Sequence, residues 1–197
     1  MATTELPAVH TALLVMDVQI GIVARFASDP GRLEPLRAAV DAARAAEIPV
    51  IFVRVAFRPG FPEVSPANRS FAAIAQGTSW AADPEMAAIH PAVDPRPDDL
   101  VVTKLRVSAF TGSDLEVLLR SRGLTHLVLA GIATSGVVLS TVREAADRDY
   151  RITVLSDGCL DMDPEVHRVL TDKIFPRQAD VQTVASWRTE LAAASHA

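Results

Sequence analysis

Short runs of consecutive apolar residues recur through this chain, and between them apolar positions fall three and four apart. Residues 12–16, 50–55, 100–103 and 127–130 form four such runs, 152–155 a fifth, and a short piece around Val181 a sixth. A run that stays apolar on successive positions needs cover on both faces, as a strand inside a parallel sheet has. The intervening segments read as helices. Asp29-Pro30 sets a cap and a first-turn proline ahead of Leu33, Leu36, Val40 and Ala43 at helical spacing. Ser113-Asp-Leu-Glu116 has the form of a capping box; Leu115, Leu118 and Leu119 follow on one face, and Gly123 ends the element. Asp163-Pro164 opens a helix bearing Val166, Val169 and Leu170, and Thr183 caps a last one over residues 184–193.

Strands alternating with amphipathic helices predict an α/β fold: a three-layer doubly wound sandwich with a mainly parallel sheet of five to six strands and helices on both faces. Residues 1–197 read as a single domain. In such sheets ligands bind outside the carboxyl ends of the strands. The stretch from 58 to 99 departs from the pattern, with prolines at 59, 62, 66, 84, 91, 95 and 97 and one short helix expected near 70–75. So long an irregular connection is expected to be a lid or an oligomer contact, and Trp80 within it is a candidate exposed apolar position.

Composition narrows the partners. A formal net charge of −5 argues against a general nucleic-acid or anionic-membrane surface. No apolar run approaches the roughly 20 residues of a membrane span, and residues 1–7 lack the basic start of a secretory signal. One cysteine cannot form an internal disulfide, which makes a reducing cytoplasm the expected location. The expected partner is a small molecule.

Three positions lie just past predicted strands and should meet at one rim. Asp17 interrupts a buried run in Leu13-Leu-Val-Met-Asp17-Val-Gln19. A carboxylate there either satisfies loop amides or carries chemistry, and it is unfavourable unless paired. Lys104, in Val101-Val-Thr-Lys104-Leu-Arg-Val-Ser108-Ala-Phe110, is either solvated or a counter-charge. Gly131-Ile-Ala-Thr134-Ser135-Gly136-Val137 reads as a strand, a glycine turn and a helix start.

Together these segments resemble the isochorismatase-like hydrolase superfamily, over roughly residues 11–181. The resemblance makes Asp17 the acid/base of an Asp-x-Gln motif, with Gln19 orienting substrate or supporting the carboxylate. It makes Lys104 the partner that fixes the ionisation of Asp17 and stabilises developing negative charge. Phe110 would pack beneath the site, and Ser108 stays undecided. In the cysteine hydrolases of this group a Gly-x-Ala-Thr-x-x-Cys run places a thiolate at a helix N-terminus, with backbone amides as oxyanion hole and a cis peptide before the alanine. By resemblance Ile132-Ala133 is then cis, Ala133, Thr134, Ser135 and Gly136 contact substrate, and Val137 stands where the nucleophile would. Valine cannot attack a carbonyl.

Other chemistry has thin support. Cys159 reads as a small buried hydrophobe. Thr134, Ser135 and Ser140 have no evident base, since none of the five histidines (10, 90, 126, 167 and 196) lies in a motif at the rim. Nicotinamidases hold a metal with an aspartate and histidines after the second strand; residues 53–69 here contain neither, and Glu63 alone makes no site. No metal or nucleotide cofactor is expected. Arg58 is either a carboxylate fork or a solvated cation. Two functions follow. One is a hydrolase acting on a small anionic metabolite through Asp17 without a covalent intermediate, as true isochorismatases protonate a vinyl ether; those have glycine at the Val137 position and Tyr-Ala-His where this chain has Ala-Thr-Ser. The other is a ligand-binding paralogue that has lost its reaction. The family also implies a homo-oligomer.

Overall fold

The computed structural model describes residues 10–26, 30–77 and 79–194. In chain order the main elements are β1 (Thr11–Met16), α1 (Ile20–Phe26), α2 (Glu34–Ala45), β2 (Val50–Val55), α3 (Arg69–Gly77), β3 (Leu100–Lys104), α4 (Leu115–Ser121), β4 (His126–Ile132), α5 (Leu139–Asp147), β5 (Arg151–Leu160), α6 (Pro164–Val169), β6 (Asp180–Gln182) and α7 (Val184–Ala194). The six strands form one sheet in the order β3-β2-β1-β4-β5-β6. Every strand pair is parallel.

Burial follows the pleat. Leu13 and Val15 of β1 enter a core with α1, α2 and α7, including Ile22, Leu36, Val40 and Trp187. Ala12, Leu14 and Met16 enter a second core with Leu115 and Leu119 of α4 and Val142 and Ala145 of α5. Alternate residues of one strand thus serve two layers of helices, which is why the strand is apolar throughout. Each fully buried Leu or Val contributes about 1.5–3 kcal/mol, so the sheet centre is heavily over-determined. The three-layer arrangement expected from the sequence is the one observed. Among the described residues no helix is long and apolar enough to cross a membrane.

Several local expectations hold. Asp163 caps α6 by accepting from the Glu165 and Val166 amides, and Thr183 accepts from Ser186 N–H at the start of α7. Gly123, at φ 63°, follows the C-cap of α4. Others need correction. Residues 113–116 do not form a capping box: Ser113 Oγ accepts from Leu115 N–H at 3.2 Å, while Glu116 turns away to Arg120 and the Tyr150 hydroxyl. Arg120, one turn along the same helix, and Tyr150, beyond α5, outcompete the amide at the helix start. Val166 is exposed rather than part of a buried face. Pro30 begins a short 3-10 turn instead of the helix itself, which starts at Glu34; Asp29, Trp80 and His196 lie outside the residues, or the side chains, that are described.

The sheet topology fixes where a ligand can go. From β1 the chain winds one way to β2 and β3, and from β4 the other way to β5 and β6. The crevice opens where the direction reverses, between the carboxyl ends of β1 and β4.

Candidate active site

Asp17 follows β1 at that reversal in the left-handed conformation, φ 56°. Its N–H donates to Val53 O at 2.8 Å, tying the strand end to β2. An aspartate tolerates this backbone better than most residues, at a cost of about 1–2 kcal/mol. Lys104 ends β3, two strands away, a separation of roughly 10 Å at the usual strand spacing. Only a long side chain spans it. Lys104 Nζ lies 2.9 Å from Asp17 Oδ2, with the two side chains 2% and 9% exposed. The ammonium also donates to Arg106 O at 3.0 Å. Asp17 Oδ1 is buried without a hydrogen-bond partner. Burial raises the Asp17 pKa, and the nearby ammonium only partly offsets it, so the carboxyl titrates above its ordinary range.

The turn after β4 supplies the opposite wall. Gly131 has φ 148°, and a Cβ there would sit 2.1 Å from Met16 O, so the close approach of β4 to β1 requires glycine. The Ile132-Ala133 peptide is cis, as the resemblance implied. The backbone kinks at Gly136 before α5 begins. Ala133, Gly136 and Val137 line a cavity of about 850 Å³ together with Asp17 and Lys104. That volume suits a small metabolite. Its sides are apolar: Ile22 and Phe26 from α1, Val55, and Phe71 and Ile74 from α3. Val107 and Met162, 37% and 67% exposed, also line it, as do Arg25, Ser70, Ala73 and Ile132.

The remaining sequence candidates are placed elsewhere. Gln19 is fully buried, and its amide donates to Val55 O and Ala87 O and accepts from Val55 N–H, each at 2.9 Å. Both its N–H donors and its oxygen are engaged in joining β2 to the segment before Ile89, and it does not line the cavity. Arg58 is 78% exposed and pairs with Glu63 at 2.9 Å, away from the lining. Ser108 accepts from Phe110 N–H at 3.3 Å, and Phe110 packs 5.8 Å from Tyr150 in the core; neither lines the cavity. Thr134 is fully buried. Its hydroxyl lies 2.9 Å from His167 Nδ1. So that hydroxyl does have a histidine beside it, contrary to the sequence reading, but neither residue lines the cavity. Ser135 is exposed and outside the lining; its N–H is taken by Asp161 Oδ2 at 2.7 Å, as the Gly136 N–H is by Ala133 O at 3.0 Å. The turn therefore offers a ligand fewer amides than the resemblance implies.

Asp161 was not anticipated. Burial works against its carboxylate, yet hydrogen bonds from Ser135, Asp163 and Met162 outweigh it and hold the group below the ordinary range. It braces the turn from the end of β5. Arg25 was also missed, although it stands three residues after Ile22 and beside Phe26 on one face of α1, a spacing legible in hindsight. Cys159 lies within β5, 2% exposed, and burial pushes its thiol up to about 12. It is inert packing. Among the described residues no three His, Cys, Asp or Glu side chains cluster as a metal site needs.

Comparison with known proteins gives consistent matches. A family model for the isochorismatase domain matches residues 11–186. The chain is 34% identical over 192 residues to the uncharacterized isochorismatase family protein YwoC of Bacillus subtilis, covering 97% of this chain and 99% of that protein. It is 32% identical over 206 residues to the ureidoacrylate amidohydrolase RutB of Methylobacterium radiotolerans, covering 93% and 77% respectively. Among solved structures, an isochorismatase family protein from Burkholderia thailandensis superposes with a TM-score of 0.79 at 34% identity, covering 93% of this chain and 96% of the other.

Proposed function

Because the chain belongs to the isochorismatase family, we propose that it is a hydrolase of a small anionic metabolite, working by acid/base chemistry at Asp17 without a covalent intermediate. The observation that carries this is the state of Asp17: a buried carboxyl lining the cavity, one oxygen without a partner, its pKa raised by burial. A carboxyl whose pKa burial raises holds its proton to higher pH than a free one, as suits a general acid. In the step envisaged, Asp17 gives its proton to a vinyl-ether carbon, and water adds to the resulting oxocarbenium carbon. The adduct loses the alcohol to leave a ketone, and the proton released by the water returns to Asp17. Lys104 stabilises the carboxylate between the two transfers.

No covalent route competes well. Val137 lines the cavity at the position the resemblance gives to the nucleophile. Among the described residues Ser70 is the one lining hydroxyl, and no histidine lines the cavity beside it. Cleavage of an amide is the nearest alternative chemistry, since the relative from Methylobacterium radiotolerans is a ureidoacrylate amidohydrolase. The test is turnover of isochorismate, simple vinyl ethers and amides by the wild type and by Asp17→Asn. An Asn variant at full rate on the responding substrate would end the assignment.

The apolar Val137 favours a second reading, a binding protein that kept the pocket and lost its reaction. Val137→Cys separates the two. Amidase activity appearing only in that variant, with a wild type that binds ligand and converts nothing, supports the binding reading. The same proposal takes residues 1–197 as one cytoplasmic domain in a homo-oligomer, which light scattering on the purified protein would test.

A further inference from the structure

Among the described residues three charged side chains line the cavity: Asp17, Lys104 and Arg25. Lys104 Nζ is engaged by Asp17 Oδ2 at 2.9 Å and by Arg106 O at 3.0 Å, and the Asp17 and Lys104 side chains are both buried. Arg25 is exposed, and its guanidinium makes no hydrogen bond or ion pair with any described residue. The cavity thus has a net positive charge while the whole chain has a formal charge of −5. An anion is drawn to that spot against the field of the rest of the molecule.

The position of Arg25 also fixes where the anion sits. α1 begins at Ile20, three residues after Asp17, and presents Ile22, Arg25 and Phe26 to the cavity. From Ile20 to Arg25 the helix rises about 7.5 Å. The Arg25 backbone is therefore set back from that of Asp17 along the helix, and both side chains line the one cavity. The apolar lining includes Phe26, Phe71, Ile74 and Val107, and among the described residues no other charged group lines the cavity. Such walls favour an aromatic or alkyl body and leave no partner for additional ionic groups.

We propose that Arg25 is the anion anchor of this cavity and that its ligand is an amphipathic monocarboxylate, with the carboxylate on Arg25, an apolar body between α1 and α3, and the reacting end at Asp17. The last of these three placements rests on the function proposed above; the first two do not. Arg25, at the mouth, acts as a specificity-determining residue: guanidinium and carboxylate match in a bidentate fork.

Calorimetric binding of 4-phenylbutanoate and of uncharged 4-phenylbutan-1-ol tests this without any turnover. The wild type binds the carboxylate about tenfold or more tightly than the alcohol. Arg25→Gln removes that preference and leaves alcohol binding unchanged, Arg25→Lys restores part of it, and Arg58→Gln changes nothing. Asp17→Asn keeps the preference, because the carboxylate sits at the other end. A wild type with no preference, no binding of either probe, or an undiminished preference in Arg25→Gln overturns the anchor. Full turnover by Asp17→Asn would instead overturn the acid/base reading and leave the anchor standing.

Discussion

Replacing Lys104 by methionine is the most informative perturbation of this structure, because it removes one charge of a buried pair while filling nearly the same volume. The two side chains are 2% and 9% exposed, so neither ion is hydrated in compensation. Deleting one partner of such a pair destabilises by about 3–5 kcal/mol, since the remaining charge is left buried and unpaired. The loss must depend on pH. Burial already holds the Asp17 pKa above its ordinary value, and without the ammonium nothing opposes that rise. A carboxyl whose folded pKa lies above its unfolded one contributes stability that is complete below the unfolded pKa and is lost as pH rises through the folded one. Lys104→Met should therefore fall furthest behind the wild type near pH 8 and recover toward about pH 4.5, close to the unfolded carboxyl pKa. Urea unfolding followed by circular dichroism, both proteins at both pH values, measures the difference. Adding Asp17→Asn to the variant should recover much of the loss at pH 8, because the orphaned charge is gone. A loss under about 1 kcal/mol at pH 8, the range of exposed pairs, or one that does not change with pH, refutes the reasoning.

Further expectations concern the frame of the site. Gly131→Ala, whose Cβ would meet Met16 O at 2.1 Å, should be destabilised by more than about 3 kcal/mol or fail to accumulate as soluble protein. Gly123→Ala, also at positive φ but with nothing within 4 Å of its Cβ, should lose only about 1 kcal/mol; comparable urea midpoints for the two would contradict the packing described between β4 and β1. Cys159, with a thiol pKa pushed to about 12, should resist iodoacetamide at pH 8 in the native protein and react once urea unfolds it. Rapid native labelling would show that β5 is open where the structure has it closed.

The sheet was legible because burial on two faces leaves a mark in every strand: the apolar runs at 12–16, 50–55 and 127–130 fall within β1, β2 and β4. β5 was harder. Ser156-Asp157-Gly158 looks like a turn, yet the strand resumes to Leu160 after an irregularity that shifts its register from Leu129↔Val154 to Gly131↔Cys159. Asp17 and Lys104 stood out as charges at the ends of apolar runs, and their pairing is observed. Gln19, Arg58, Ser108 and Phe110 were assigned from their neighbourhood in sequence. What a polar side chain finds depends on elements far along the chain: Gln19 meets Ala87, and Phe110 meets Tyr150. The same distance concealed Asp161 and His167, which reach the turn after β4 from the far end of β5 and from α6.

The central claim is that a protonated Asp17, and no covalent nucleophile, drives the reaction. It is tested most directly by the pH profile of kcat/KM for whichever vinyl ether or amide responds, in the wild type and in Asp17→Asn. The account predicts a rate that falls as pH rises through the Asp17 pKa, and an Asn variant slower by about 100-fold or more that has lost that limb. An Asn variant with the wild-type rate and an unchanged profile would contradict it.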